Sequence, residues 1–168
     1  MISFWLALAL TSCAPKGAGA GVDPSPSWAT DTGRVQAKIE LAEALVLNGT
    51  PEAALQMISQ MVEQGARHPD LLVLQGRALT DMGLTDEAET ALNLATRRTP
   101  SNAEAHNRLG ILYLDQSRTD EAIKRFKAAT RSAPKDAEVH NNLGFALMAA
   151  GRHPEAIEVL RKALMLDG

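Results

Sequence analysis

Several groups of residues in this sequence have types and spacings that could do chemistry. Asp86-Glu87 and Asp120-Glu121 are adjacent carboxylates, the kind of pair that can divide general acid and general base work. His106 and His140 could offer two imidazole nitrogens to a metal ion. Lys124, Arg125, Lys127 and Arg131 gather positive charge along one short stretch, as a nucleic-acid surface would. Cys13 is the only thiol.

Most of these have a plainer reading. The acid pairs recur 34 residues apart and fall where the first turn of a helix is expected, so they match the helix dipole. The two histidines share that spacing, and no third ligand accompanies them; packing between helices is the expectation. No aromatic platform accompanies the basic stretch, which reads as a solvated face. The sequence has no phosphate-loop signature, no HExxH and no GxSxG. It points to no catalytic residue, no metal site and no cofactor.

The elements that carry these residues follow from composition and period. A chain of 168 residues is about one domain. With 17 Lys and Arg against 20 Asp and Glu, the net charge of -3 gives no clustered excess to hold nucleic acid. Charged residues at 22% and apolar ones at 45% describe a globular chain. Aromatics make up only 4%, so the core is built mainly from Ala and Leu, which favours close-packed helices. One cysteine excludes an internal disulfide framework.

Shifted by 34, the sequence aligns with itself. Ala54, Ala88, Ala122 and Ala156 form one column; Ile58, Leu92, Phe126 and Leu160 another; Leu45, Leu79, Tyr113 and Leu147 a third. Ala42, Gly76, Gly110 and Gly144 form a column of small residues, and Pro100 and Pro134 close two units. Gly49, Gly83 and Gly151 stand where a left-handed residue would end each first helix; Ser117 takes that place in the third unit and must adopt a costlier geometry or change the turn. Thr50, Thr85 and Thr119 are expected to cap the second helices, and Ser101 with Glu104 to form a capping box.

This period and pattern resemble the tetratricopeptide repeat, a helix-turn-helix unit. The resemblance implies an all-α solenoid of four units in a right-handed superhelix, at residues 35–68, 69–102, 103–136 and 137–168. In that family the first helices line a concave face that binds protein. Carried onto this chain, the face holds Asn107, Arg108, Ile111, Leu114, Asn141, Asn142, Phe145 and Met148, with Val73, Arg77 and Thr80 from the second unit. Carboxamides beside apolar side chains suit an extended polypeptide, because Asn both donates to and accepts from a peptide backbone. Ile157, Leu160, Leu164 and Met165 would form a second apolar face on the last helix, open to a partner or to self-association.

The N-terminal residues 2–10, ISFWLALAL, are too short a run for a transmembrane helix and suit a signal peptide, although no Lys or Arg precedes them. Leu10-Thr11-Ser12-Cys13 resembles the lipobox of bacterial lipoproteins, which implies a signal peptide over residues 1–12 and lipidation of Cys13. Ala14 follows the cysteine where Asp would imply inner-membrane retention, which favours the outer membrane. Residues 13–31, rich in Gly, Pro, Ser and Ala, read as a flexible tether.

The layout, with residues 140–147 and Arg161-Lys162-Ala163, is similar to the repeat lipoproteins of tight-adherence (Flp) pilus assembly. That similarity implies a pilotin-like role with a secretin among the partners, on the periplasmic side of the outer membrane. Cell-division and peptidoglycan-associated repeat lipoproteins share the layout. A cytoplasmic scaffold is the reading if the N-terminus is not a signal.

Overall fold

A computed structural model describes residues 32–167. Cys13, the signal peptide and the tether lie outside the described residues. Among the described residues there are eight helices and no strand. They are α1 (Thr32–Leu47), α2 (Pro51–Glu63), α3 (Asp70–Asp81), α4 (Thr85–Arg98), α5 (Ala103–Asp115), α6 (Thr119–Ser132), α7 (Ala137–Ala149) and α8 (His153–Asp167). None is long and apolar enough to cross a membrane. The chain divides into two compact units, one ending at Glu87 and the other running from Ala88.

One local device ends the first helix of every pair. Gly49, Gly83 and Gly151 adopt φ near +75°, and Ser117 adopts the same left-handed conformation at φ 62. Each donates its N–H to the carbonyl three residues back (Val46, Thr80, Leu114 and Met148), all at 2.9 to 3.1 Å. The next residue donates to Leu45, Leu79, Tyr113 or Leu147 at 2.8 or 2.9 Å. These paired bonds satisfy carbonyls that a helix end leaves open. Ser117 therefore keeps the turn and takes on the backbone strain that glycine avoids.

The helix starts differ from the sequence expectation. Thr50 precedes α2 without a capping side-chain bond, and its hydroxyl donates back to the Leu45 carbonyl at 2.9 Å. Thr85 and Thr119 are already the first helical residues. Ser101 does not cap α5. Asn102 does, accepting from the Ala105 N–H at 2.8 Å, and Asp136 caps α7 in the same way from the equivalent position. The shift by one residue puts the acceptor oxygen within reach of the open N–H groups of the first turn.

Small residues let the helices of a hairpin meet. In the first unit Ile39, Ala42, Ile58, Met61, Leu71 and Leu74 share one buried cluster. In the second, Ala88, Ala122 and Ala156 are buried along one column. Gly110 lies so close to the Phe126 ring that an added Cβ would fall 2.5 Å from its nearest ring carbon, and at Gly144 the same Cβ would fall 2.5 Å from Leu160. Phe126 is fully enclosed, and burying a side chain of that size stabilises by about 1.5–3 kcal/mol.

Two substitutions separate these effects. Ser117→Gly is expected to raise stability by about 0.5–1 kcal/mol in urea denaturation, through relief of left-handed strain. Gly110→Ala is expected to lower it by about 2 kcal/mol, because the clash with Phe126 exceeds the roughly 1 kcal/mol that Ala gains over Gly in a helix.

Candidate functional site

In the second unit α5 and α7 lie against each other, and their stripes at 107, 111, 114 and 141, 145, 148 are built alike. Phe145 and Met148 stand out, 53% and 47% exposed. Asn141 is exposed, while Asn142, Ile111 and Leu114 are half-buried. Asn142 donates from Nδ2 to Asn107 Oδ1 at 3.0 Å. Asn107 is only 1% exposed and is withdrawn from any ligand, because the following first helix covers its position. Arg108 is half-buried and bonded to Glu104 at 2.6 Å, one helical turn away.

Three other expected site residues lie in the first unit. Val73 is buried and is not part of an open binding face. Arg77, in that same unit, is half-buried, and Thr80 spends its hydroxyl on the Gly76 carbonyl. On α8, Ile157 is exposed, and Leu164 and Met165 are 75% and 74% exposed. Leu160 is half-buried and fills the space over Gly144, so it belongs to the α7–α8 seam and not to an open face.

The two histidines have one shared task. His106 Nε2 meets the Pro100 carbonyl at 3.1 Å, and His140 Nε2 meets the Pro134 carbonyl at 3.1 Å. Each ring donates there and pins the turn that precedes its helix. The bond fixes the proton on Nε2, which leaves the His106 Nδ1 lone pair buried and without a partner. Burial pushes the His106 pKa down; the Pro100 bond opposes this, and Arg125 and Arg131 add to it. Among the described residues no group of three or more His, Cys, Asp or Glu gathers as a metal site would need.

A polar cluster ties α4, α5 and α6 together. The Tyr113 hydroxyl donates to Glu89 Oε1 at 3.0 Å, and Arg118 Nη1 donates to Glu89 Oε2 at 2.8 Å. Arg118 also grips Glu121 through two bonds, at 3.0 and 2.6 Å, and lies 4.1 Å from the centre of the Tyr113 ring. Burial raises the Glu89 pKa, but the bonds from Arg118 and Tyr113 outweigh it and hold the carboxyl below its usual value. Hydrogen bonding to Arg118 likewise holds Glu121 low. The acid pair Asp120-Glu121 thus contributes to a structural ion pair at the start of α6.

Sequence reading missed this cluster, though a signal was present. Glu89 breaks a column otherwise filled by Leu55, Ile123 and Ile157, and Tyr113 breaks one otherwise filled by leucines. The two exceptions meet 24 residues apart. One unit later, the matching pair Ile123 and Leu147 is apolar and buried.

Two measurements test these assignments. Tyr113→Phe is expected to cost about 1 kcal/mol, the net value of one such bond. For His106, the unfolded ring titrates near 6.5 and the folded ring lower, so the unfolded chain binds more protons between those values. Its contribution is whole above about pH 6.5 and is lost as pH falls through the folded value. Thermal melts from neutral to mildly acidic pH are expected to show that loss in the native chain and a smaller one in His106→Gln.

A family model for the tetratricopeptide repeat matches residues 73–124 and again 108–167, more than half of the chain. No curated protein matches the sequence. Among solved structures, a crystal structure of MamA is 22% identical, covers 82% of this chain and 81% of its own, and superposes with a TM-score of 0.69. MamA from Desulfovibrio magneticus RS-1 is 25% identical, with 79% and 75% covered and a TM-score of 0.66. TTC0263, a thermophilic TPR protein from Thermus thermophilus, is 23% identical, with 78% and 73% covered and a TM-score of 0.69. The left-handed turns, the small-residue seams and the repeated columns agree with these matches, and the chain belongs to the tetratricopeptide repeat family.

Proposed function

We propose that this chain acts as a lipid-anchored protein-interaction module of the bacterial envelope, gripping an extended polypeptide along α5 and α7. Its fold is that of a protein-protein interaction module. The observation that carries the finer reading is the exposure of Phe145 and Met148 beside Asn141 and Asn142. Large apolar side chains next to carboxamides give a peptide both pockets and backbone partners. Half-buried Ile111 and Leu114 extend the strip onto α5. Ile157, Leu164 and Met165 offer a second apolar strip on α8 to a partner or a second copy.

The lipobox-like residues 10–13 support an acyl anchor on Cys13, and Ala14 supports the outer membrane. With the stretch of the last unit that is similar to the repeat lipoproteins of tight-adherence pilus assembly, this reading makes the chain a pilotin-like factor that helps a secretin assemble. It assigns no residue to catalysis.

Two experiments test this. Palmitate labelling in cells is expected to disappear in Cys13→Ala; undiminished labelling would remove the anchor. A photo-crosslinking residue at position 145 of the full chain is expected to capture an envelope protein. Met148→Ala is expected to weaken that capture about tenfold, the size of a modest hot spot. Equal capture from exposed Glu52 on α2 would remove the α5–α7 site.

A further inference from the structure

A first helix seats on the hairpin before it within each compact unit: α3 on α1–α2 in the first, and α7 on α5–α6 in the second. The seating face is the same in both. On α3 it holds Leu71, Gln75, Ala78 and Leu79, and on α7 it holds Val139, Leu143, Ala146 and Leu147, all buried. These positions recur every 34 residues, and on α1 they are Ala37, Leu41, Ala44 and Leu45. Leu41, Ala44 and Leu45 are the same residue types as Leu143, Ala146 and Leu147. Yet Ala37 is exposed, Leu41 is 51% exposed, and Ala44 and Leu45 are half-buried. α1 thus carries a seating face with no hairpin beneath it among the described residues.

The α7–α8 hairpin carries the receiving face. Where that face is occupied, Asn107 is covered and accepts from Asn142. Ile123 and Leu147, the counterparts of bonded Glu89 and Tyr113, are both buried. Val62 packs against the cluster that holds Leu71 and Leu74. The positions of Asn107, Ile123 and Val62 become Asn141, Ile157 and Leu164 on the last hairpin. There Asn141 is exposed, Ile157 is 57% exposed, and Leu164 is more exposed still. Apolar side chains gathered in solvent on a face of this kind mark an interaction surface.

The two open faces match in the register that the fold already uses. Leu45 stands in the column of Leu147, and Ile157 in that of Ile123, so they can meet as that buried pair does. Glu40 stands in the column of Asn142, and Asn141 in that of Asn107. A carboxylate only accepts, and the Asn141 amide supplies the donor. Gln36 donates to Glu40 Oε1 at 3.4 Å, which leaves other lone pairs of the carboxylate for a partner.

We propose that copies of this chain stack end to end, α1 of one copy seated on the α7–α8 hairpin of another. This commits the α8 strip of the proposed function to a second copy, and it rests on that part of the reading alone. In the stack Leu41 and Leu45 meet Ile157 and Leu164, and Asn141 donates to Glu40. The two faces differ, so the contact is head-to-tail and can repeat beyond two copies. Ile111 and Leu114 stay half-buried with α7 beside them, so their counterparts Phe145 and Met148 keep part of their surface for a polypeptide.

Sedimentation velocity of the full chain is expected to show association that rises with concentration. Leu41→Asp and Leu164→Asp each spoil one end, and each alone is expected to weaken association about tenfold or more. Both residues are exposed, and unchanged circular dichroism checks that the fold survives. Mixing the two variants leaves one sound α1 face and one sound α7–α8 face, so the mixture is expected to form dimers as tightly as the native chain. A second test needs neither variant. With Cys13→Ala as the background, a short bis-maleimide is expected to join a Glu40→Cys chain to an Asn141→Cys chain, and neither to itself. A chain that stays monomeric up to about 1 mM, variants that associate like the native chain, a mixture that stays monomeric, or Asn141→Cys chains joined to each other would overturn the proposal. Capture of an envelope protein from position 145 can succeed or fail without altering any of these results, so the two readings fail separately.

Discussion

Close approach of paired helices over a seam of small side chains is the constraint on which the rest of this structure depends. Gly110 leaves room for the Phe126 ring, and Gly144 leaves room for Leu160, with no space in either case for another carbon. The buried alanines at 88, 122 and 156 extend the same condition along the second unit. With so few aromatic residues, the chain gains its packing contacts from proximity and not from large side chains. The left-handed turns serve that seam. Each reverses the chain within a few residues and satisfies the carbonyls at the end of the first helix, so the second helix starts in position to pack.

Upon that uniform frame the third hairpin takes part in two polar pairs that have apolar counterparts in other units. Glu89 with Tyr113 occupies the place that Ile123 with Leu147 fills one unit later, and Asn107 with Asn142 stands where Ile39 and Leu74 share a buried cluster in the first unit. Apolar pairs tolerate small slips. A buried carboxamide or hydroxyl does not, because losing its partner costs about 1–3 kcal/mol. These pairs therefore fix how α4, α5, α6 and α7 meet, and Arg118 extends the first of them to the start of α6 through Glu121.

The second unit presents surfaces of different chemistry. Phe145 and Met148 project from α7 beside exposed carboxamides, while Lys124, Arg125 and Arg131 surround a cleft between α6 and the α4–α5 turn. His106 links fold and surface. Its Nε2 holds the turn and its Nδ1 is left without a partner, so a residue required for packing also lines the charged cleft.

Much of this was legible in the sequence, and the division follows the range of the forces involved. The 34-residue columns, the helix-ending positions at Gly49, Gly83, Ser117 and Gly151 and the small-residue seam are readable because they rest on local backbone geometry and on period. The caps were misplaced by one residue, at Ser101 in place of Asn102, because side-chain reach and not residue type selects the donor that is met. Of two asparagines one turn-position apart in adjacent units, Asn107 is enclosed and Asn142 is not, and nothing in either residue says so. The pairing of Tyr113 with Glu89 shows in the sequence only as two breaks in apolar columns, because a contact between residues 24 apart depends on how α4 and α5 meet. The repeat is written in the residues themselves, since each helix and turn answers to its own neighbours. Which side chains are left for a partner is settled by packing, since that depends on which neighbouring helix covers them.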